Sequence, residues 1–226
     1  MLPSGMRRFI FSANLANMYV YTEKGEALVV DCFEDPALPA LLSEHGVHRV
    51  TVLLTHGHWD HVSGVETLKR LYECRVCAGE NALDELRDPR KNLSRHFEAL
   101  FQMRVNAGEM RPDAMDMTFE TCSIVPDVCF ADGETFCWGS HRFQIRHTPG
   151  HTEGSICILA DGKWLFSGDS LINGHRTVTR YPTGSQRQFE QITVPFLEGL
   201  PGDMTVLPGH GEPGKLENLI SFLYQE

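Results

Sequence analysis

Residues 53–65 read LLTHGHWDHVSGV, which places His56, His58, Asp60 and His61 within six positions. A polar cluster this dense is an accident of composition, the support of a nucleophile or a metal cage, and the flanking residues narrow the choice. Upstream, VTVLL (50–54) is a continuous apolar run of strand length, as expected of a strand covered on both faces. Downstream, Ser63 and Glu66 have the S-x-x-E spacing of a capping box, which predicts a helix over about 64–73. The cluster therefore sits on a strand-to-helix loop. Such a loop carries sites in α/β proteins because the strand end holds it rigid while its side chains point into a crevice.

Imidazole nitrogen and carboxylate oxygen ligate zinc and similar cations, and a catalytic site gathers several of them while leaving one position open to water. In H-x-H-x-D-H, alternate residues of an extended turn project to one side and their neighbours to another, so one loop can feed two metals. It cannot close two coordination shells alone. A catalytic cage thus predicts further His and Asp residues at later strand ends, and they are present. RHTPGHTEGS puts His151 after a strand and a Pro-Gly turn, WLFSGDS puts Asp169 at a strand end, and TVLPGHGEP puts His210 after another strand. For His45, His48, His96 and His141 an ordinary structural role is the preferred reading, since no matching ligands accompany them. His147, four residues before His151, is placed to hydrogen-bond a ligand rather than to be one.

The remaining chain reads as strands at 17–22 and 26–31, a helix from Asp35-Pro36 to Gly46, and a helix at 81–87. Short helices and loops follow at 88–134, an inserted lid region between two sheets. Strands return at 134–138, 142–148, 155–160 and 163–168, then a helix to about 198, a strand in MTVLPG and a helix in KLENLISFLY. No repeat or linker interrupts this order, so residues 1–226 read as a single domain, two sheets between helix layers.

The formal net charge of −10 disfavours nucleic acid or an anionic membrane as partner, leaving a small-molecule substrate. No apolar run approaches the ~20 residues of a membrane span. The seven cysteines are odd in number and scattered, and no cleavable apolar leader precedes them, so they are expected as reduced thiols in a cytoplasmic protein. Cys74 and Cys77 form a C-x-x-C without a second pair, and read as a helix end running into a strand rather than a zinc or redox site. Oligomeric state is open. No G-x-S-x-G elbow occurs and no cysteine has a motif linking it to a base, which points away from a side-chain nucleophile.

THGHWDH (55–61), HTPGHT (147–152), FSGDS (166–170) and PGHG (208–211), in this order, resemble the metallo-β-lactamase fold superfamily over roughly residues 17–214. Within it the chain is most similar to the glyoxalase II-like hydrolases, with DPRKNLS (88–94) adding to the likeness. The resemblance implies an α/β (α+β) fold, a four-layer αββα sandwich of two mixed sheets flanked by helices. It implies that His56, His58 and His151 hold one metal, that Asp60, His61 and His210 hold the other, and that Asp169 bridges them. Two zinc ions are expected, with iron or manganese as substitutes. The implied activity is that of a binuclear metallohydrolase: a hydroxide shared by the two ions and oriented by Asp60 attacks an acyl-glutathione-like or acyl-coenzyme A-like thioester, or a related ester.

Departures from relatives shape the substrate reading. Class B β-lactamases generally carry Cys or Ser where Asp169 stands, and lactonases of this fold commonly carry Tyr where Ile172 stands. Glyoxalase II follows the bridging aspartate with a GCGR-like segment, whereas this chain has DSLINGHRTVTRYPTGS (169–185). His175, Arg176, Arg180 and Tyr181 are accordingly the candidate substrate contacts, with solvated surface positions as the alternative. A mononuclear iron persulfide dioxygenase using His56, His151 or its neighbours and Asp169 is an alternative within the same fold, and a lactonase or phosphodiester hydrolase a second. Flavodiiron-type electron-transfer proteins share the fold but carry a flavin-binding domain that is not read in these 226 residues, and a pure binding module has no need of all seven ligands. Substrate choice is expected in 88–134 and 171–185, with Phe101, Met103, Met110, Met115, Met117 and Phe119 packing the lid on the core and Trp59 packing beneath the site.

Overall fold

The computed structural model describes residues 5–108 and 120–224. The first sheet has the spatial order β1 (Met6–Ile10), β2 (Asn17–Glu23), β3 (Glu26–Val30), β4 (Arg49–Leu53), β5 (Glu73–Gly79), β6 (Val128–Phe130). Its first three strands are antiparallel and β3 to β6 run parallel. Parallel neighbours need crossovers. Helix α1 (Ala37–Glu44) supplies the first, α2 (Trp59–Val62) with α3 (Val65–Leu71) the second, and α4 (Leu83–Arg87) with α5 (Phe97–Asn106) lie within the third. The second sheet has the order β12 (Gly214–Lys215), β11 (Thr205–Pro208), β10 (Trp164–Gly168), β9 (Ile156–Ala160), β8 (His141–His147), β7 (Thr135–Trp138). All its pairs are antiparallel except β10 with β11, which are joined through α6 (Gln186–Gln188), a π-helical turn at Phe189–Thr193 and α7 (Val194–Glu198). Helix α8 (Leu216–Leu219) follows β12.

The two-residue period of a strand explains the layers. Val29 and Val52 face the cluster under α1 and α3, while their neighbours Leu28 and Leu53 face the second sheet. On the other sheet Phe166 and Leu207 point inward, and Leu165 and Val206 pack on α7 and α8. Helix, sheet, sheet and helix are therefore stacked as an αββα sandwich, as the motif resemblance implied. Cys74 and Cys77 both lie in β5 and reach opposite faces, so they do not form a pair.

Four local expectations are corrected. The capping box does not form: Ser63 closes α2 and its hydroxyl accepts the Glu34 N–H at 3.1 Å, while Gly64 caps α3. A Cβ on Gly64 would sit 2.4 Å from the Phe33 carbonyl oxygen, so the contact with the chain after β3 dictates where α3 begins. The insertion is not all lid, since residues 128–130 pair with β5; a three-residue edge strand is too short to show a period. Strands β1 and β12 had no sequence signal of their own and are held by pairing with β2 and β11. Within the proposed apolar group, Phe101 is buried but Met103 is 67% exposed; Met110, Met115, Met117 and Phe119 lie outside the described residues.

Phe166 is 1% exposed between the sheets and meets the Tyr19 ring edge-on at 5.5 Å. Phe166→Ala is expected to cost ~3–5 kcal/mol in urea unfolding, and a loss below ~1 kcal/mol would show that this layer is loosely packed.

Candidate metal centre

Each functional side chain stands where a strand has just ended. β4 leads through a bend at Thr55-His56 into His58, whose backbone is extended, and α2 then turns Asp60 and His61 back toward them. This differs from the extended turn read from the sequence: one helical turn, not alternation, brings Asp60 and His61 in. After β8, Pro149-Gly150 turns the chain so that His151 points back; Gly150 has φ +139, and a Cβ there would lie 2.4 Å from that of Phe189. Asp169 follows β10 and His210 follows β11.

His56, His58, Asp60, His61, His151 and Asp169 are buried. Their ligand atoms, with those of half-buried His210, fall into three groups within 4.8 Å: His56 with His58 and His151, His56 with His61 and Asp169, and Asp60 with His61 and His210. Asp169 lies between the outer two. Its Oδ2 is 3.4 Å from the Nε2 atoms of both His151 and His210, and its Oδ1 is 3.6 Å from His61 Nε2.

The outer ring of hydrogen bonds tells which nitrogen of each imidazole faces inward. His61 Nδ1 donates to Asp31 Oδ2 at 2.9 Å, His151 Nδ1 to the Val178 carbonyl at 2.7 Å, and His210 Nδ1 to the Asn14 carbonyl at 3.0 Å. The Thr55 hydroxyl donates to Asp31, so it accepts from His56 Nδ1 at 3.1 Å. Four Nε2 lone pairs are thereby aimed at the centre. His61 Nε2 and His210 Nε2 face each other at 3.2 Å, and His151 Nε2 lies 2.9 Å from His58 Nδ1. His56 Nε2, His58 Nε2 and Asp169 Oδ1 are buried with no hydrogen-bond partner among the described residues. Opposed lone pairs and orphaned buried acceptors are costly unless a cation lies between them, and N/O donors are those that zinc-like ions take. The residue set fits metal ions.

Electrostatics agree. Burial, reinforced by the other histidines, lowers His56 well below its ordinary pKa and His58 to about 3, and burial also lowers His151, so these three are neutral as ligands must be. For His61 and His210 burial is outweighed by facing carboxylates, Asp60, Asp31 and Asp169 for the first, Asp169 and Asp60 for the second, and both are driven upward. Asp60 and Asp169, although buried, are held below the carboxylate range by His61 and His210. The site as a whole stabilises positive charge.

A pocket of about 550 Å³ opens above the centre, lined by Asp60, Asp169, His58, His151 and His210 at its floor and by Leu93, Phe97, Phe101, Ile172 and Val178 on its walls. His175, Arg180 and Tyr181 also line it, and Tyr181 stands edge-on to His58 and His151 at 5.4 and 5.9 Å. Arg176 turns aside to Glu190 at 3.8 Å and is not part of the lining. His147 donates from Nε2 to the Glu153 carbonyl and accepts the Asn81 amide at Nδ1, and does not bond His151. His45 and His141 pair locally with the Leu41 carbonyl and Asp161. Trp59 is buried against Phe11 and Phe97.

Three residues escaped the sequence reading. Asn14 donates its side-chain amide to Asp60 Oδ2 and has no sequence signal. Asp31, which also accepts the Thr55 N–H at 2.8 Å, sits at a strand's carboxyl end, the criterion that singled out Asp169. Glu85 is 2% exposed in α4, and burial pushes its carboxyl up to about 7 against the hydrogen bonds it accepts.

A family model described as "Metallo-beta-lactamase superfamily" matches residues 13–210. An uncharacterised protein of Mycobacterium leprae is 30% identical over 217 residues, covering 92% of this chain and 89% of that one. Hydroxyacylglutathione hydrolase GloC of Haemophilus influenzae is 29% identical over 191 residues, covering 84% and 81%. Among solved structures, BLEG-1 B3 metallo-beta-lactamase superposes with a TM-score of 0.73 at 23% identity over 97% of this chain and 100% of its own.

Asp169→Ala removes the one carboxylate lying between both outer groups, so metal per folded chain is expected to drop by at least about half. Unchanged metal content by plasma mass spectrometry, in protein that keeps its far-UV circular dichroism, would rule out a shared role for Asp169.

Proposed function

This chain belongs to the metallo-β-lactamase superfamily, and from that premise we propose that it is a two-metal hydrolase of thioesters, or closely related esters, whose carrier is anionic and whose acyl group is apolar. The observation that carries the reading is the pair of ligand triads with Asp169 between them, three of whose buried atoms (His56 Nε2, His58 Nε2 and Asp169 Oδ1) have no hydrogen-bond partner among the described residues, beneath a pocket floored by His58, Asp60, His151, Asp169 and His210. His56, His58 and His151 would hold one ion and Asp60, His61 and His210 the other, with Asp169 within reach of both groups. Zinc suits these nitrogen and oxygen donors. When bound, two such ions supply Lewis acidity at a substrate carbonyl and make a water acidic enough to attack near neutral pH.

The protein's own groups do the rest. Asp60 is ionised, its Oδ2 is fixed by the Asn14 amide, and it lines the pocket, so it orients the attacking water and accepts a hydrogen bond from it. Leu93, Ile172 and Val178 seat the acyl group and limit water at the reacting carbon. Arg180 and His175 are exposed on the lining of the same pocket, where they meet the negative groups of an acyl-glutathione-like or acyl-coenzyme A-like carrier. Tyr181 holds the wall over His58 and His151. A thiolate, from a thiol of pKa ~8.5, leaves without a strong acid beside it. The name of the Haemophilus influenzae relative, a hydroxyacylglutathione hydrolase, supports this substrate class. No helix among the described residues is long and apolar enough to cross a membrane, and all seven cysteines are free thiols, in keeping with a small-molecule enzyme of the cytoplasm.

The test is a panel of acyl-glutathione and acyl-coenzyme A thioesters, with a lactone and a phosphodiester as contrasts. Thioester hydrolysis that stops on chelation and returns with zinc is expected, and Arg180→Ala is expected to raise KM about tenfold with kcat within about twofold. One tightly held iron per chain, with oxygen uptake on a persulfide and no thioester turnover, would instead identify a dioxygenase.

A further inference from the structure

We propose that Glu85 is a positioning residue that holds the three-histidine half of the site, and not the other half, in ligating geometry. The inference rests on the two-ion reading above. Glu85 touches no ligand; it touches the backbone and side chains next to all three histidines of one triad. Its Oε1 accepts the Gly57 N–H at 2.7 Å, between His56 and His58, and the Thr152 hydroxyl at 3.1 Å, next to His151. One oxygen therefore joins the two loops that supply this triad. Its Oε2 accepts the Thr183 hydroxyl at 3.2 Å and the Gly154 N–H at 3.4 Å. Thr183 lies two residues beyond Tyr181, so the pocket wall over His58 and His151 is tied to the same carboxylate.

Steric contacts lock the same parts together. A Cβ on Gly57 would lie 2.8 Å from Glu85 Cγ, and one on Gly154 would lie 2.3 Å from the Cα of Ala82, just before α4. Both metal-bearing loops thus press on α4 and the turn that precedes it. Among the described residues no Lys, Arg or His pairs with Glu85. Its two oxygens are satisfied by four donors from three segments, and a buried acceptor satisfied only in one arrangement holds that arrangement. None of these contacts reaches Asp60, His61 or His210; His61 is oriented instead by Asp31 and His210 by the Asn14 carbonyl. Asp31 serves both halves, since through Thr55 it also backs His56, whereas the contacts of Glu85 are confined to the three-histidine half.

Glu85→Gln keeps the shape but gives one of the two positions an N–H that faces existing donors. Thr152→Val keeps the volume and deletes one of the bonds to Oε1. Zinc affinity is measured by titrating chelator-stripped protein against a chromophoric competitor, in two backgrounds that each leave one triad: His210→Ala, which keeps the three-histidine group, and His151→Ala, which keeps the other. In the His210→Ala background, Glu85→Gln is expected to weaken zinc about tenfold or more and Thr152→Val by a smaller factor in the same direction. In the His151→Ala background both leave affinity within about twofold. If Glu85→Gln fails to fold by circular dichroism, Thr152→Val decides. Unchanged affinity in the first background, or an equal loss in both, overturns the proposal. No substrate enters the measurement, so failure of the thioester reading would show in turnover by the wild-type chain and not here.

Discussion

Five imidazoles and two carboxylates share a volume so small and so little exposed that their lone pairs face one another across hydrogen-bond distances. Removing such groups from water is unfavourable, and turning their acceptors toward each other adds repulsion. The arrangement persists only because every imidazole is also fixed from behind, by Asp31, Thr55, Val178 or Asn14, or by the packing around His58. Most of the structure near the site is explained by the need to hold these groups against their mutual repulsion until a cation replaces it with attraction.

The sandwich meets that need by delivering the ligands from strand ends. β4, β10 and β11 lie inside their sheets, hydrogen-bonded on both sides, so the residues that follow them inherit little freedom. The two sheets contribute separately. The first supplies His56, His58, Asp60, His61 and the supporting Asp31; the second supplies His151, Asp169 and His210. Packing of Phe166 and Leu207 against Leu28 and Leu53 is what brings the two groups into one centre, which links core stability directly to the metal geometry.

Helices α4 and α5 and the 171–185 loop stand above this rigid base. They contribute the apolar wall, the exposed Arg180 and, through Glu85 and the Val178 carbonyl, part of the support of the three-histidine group.

The seven residues that converge at the centre were legible because each is a His or Asp at or shortly after the end of an apolar run, and strand ends can be recognised from pattern alone. The layer order followed from the same runs and from the motif resemblance. What pattern could not reveal was anything that depends on distant segments meeting. Glu85 is one acidic residue in a short helix, Asn14 one amide in a loop, and neither is distinguishable from a solvated neighbour until the fold sets it against Gly57 or Asp60. Arg176 and Arg180 look equivalent in sequence, yet one pairs with Glu190 and the other lines the pocket. Ser63 has the spacing of a cap and is drawn to Glu34 instead. The sequence by itself determined the donor set, its strand-end placement and the sandwich, since these rest on local periodicity and residue chemistry. Tertiary structure decided which lone pairs face inward, which residues support them and which cations reach the pocket, because those depend on contacts between residues far apart in the chain.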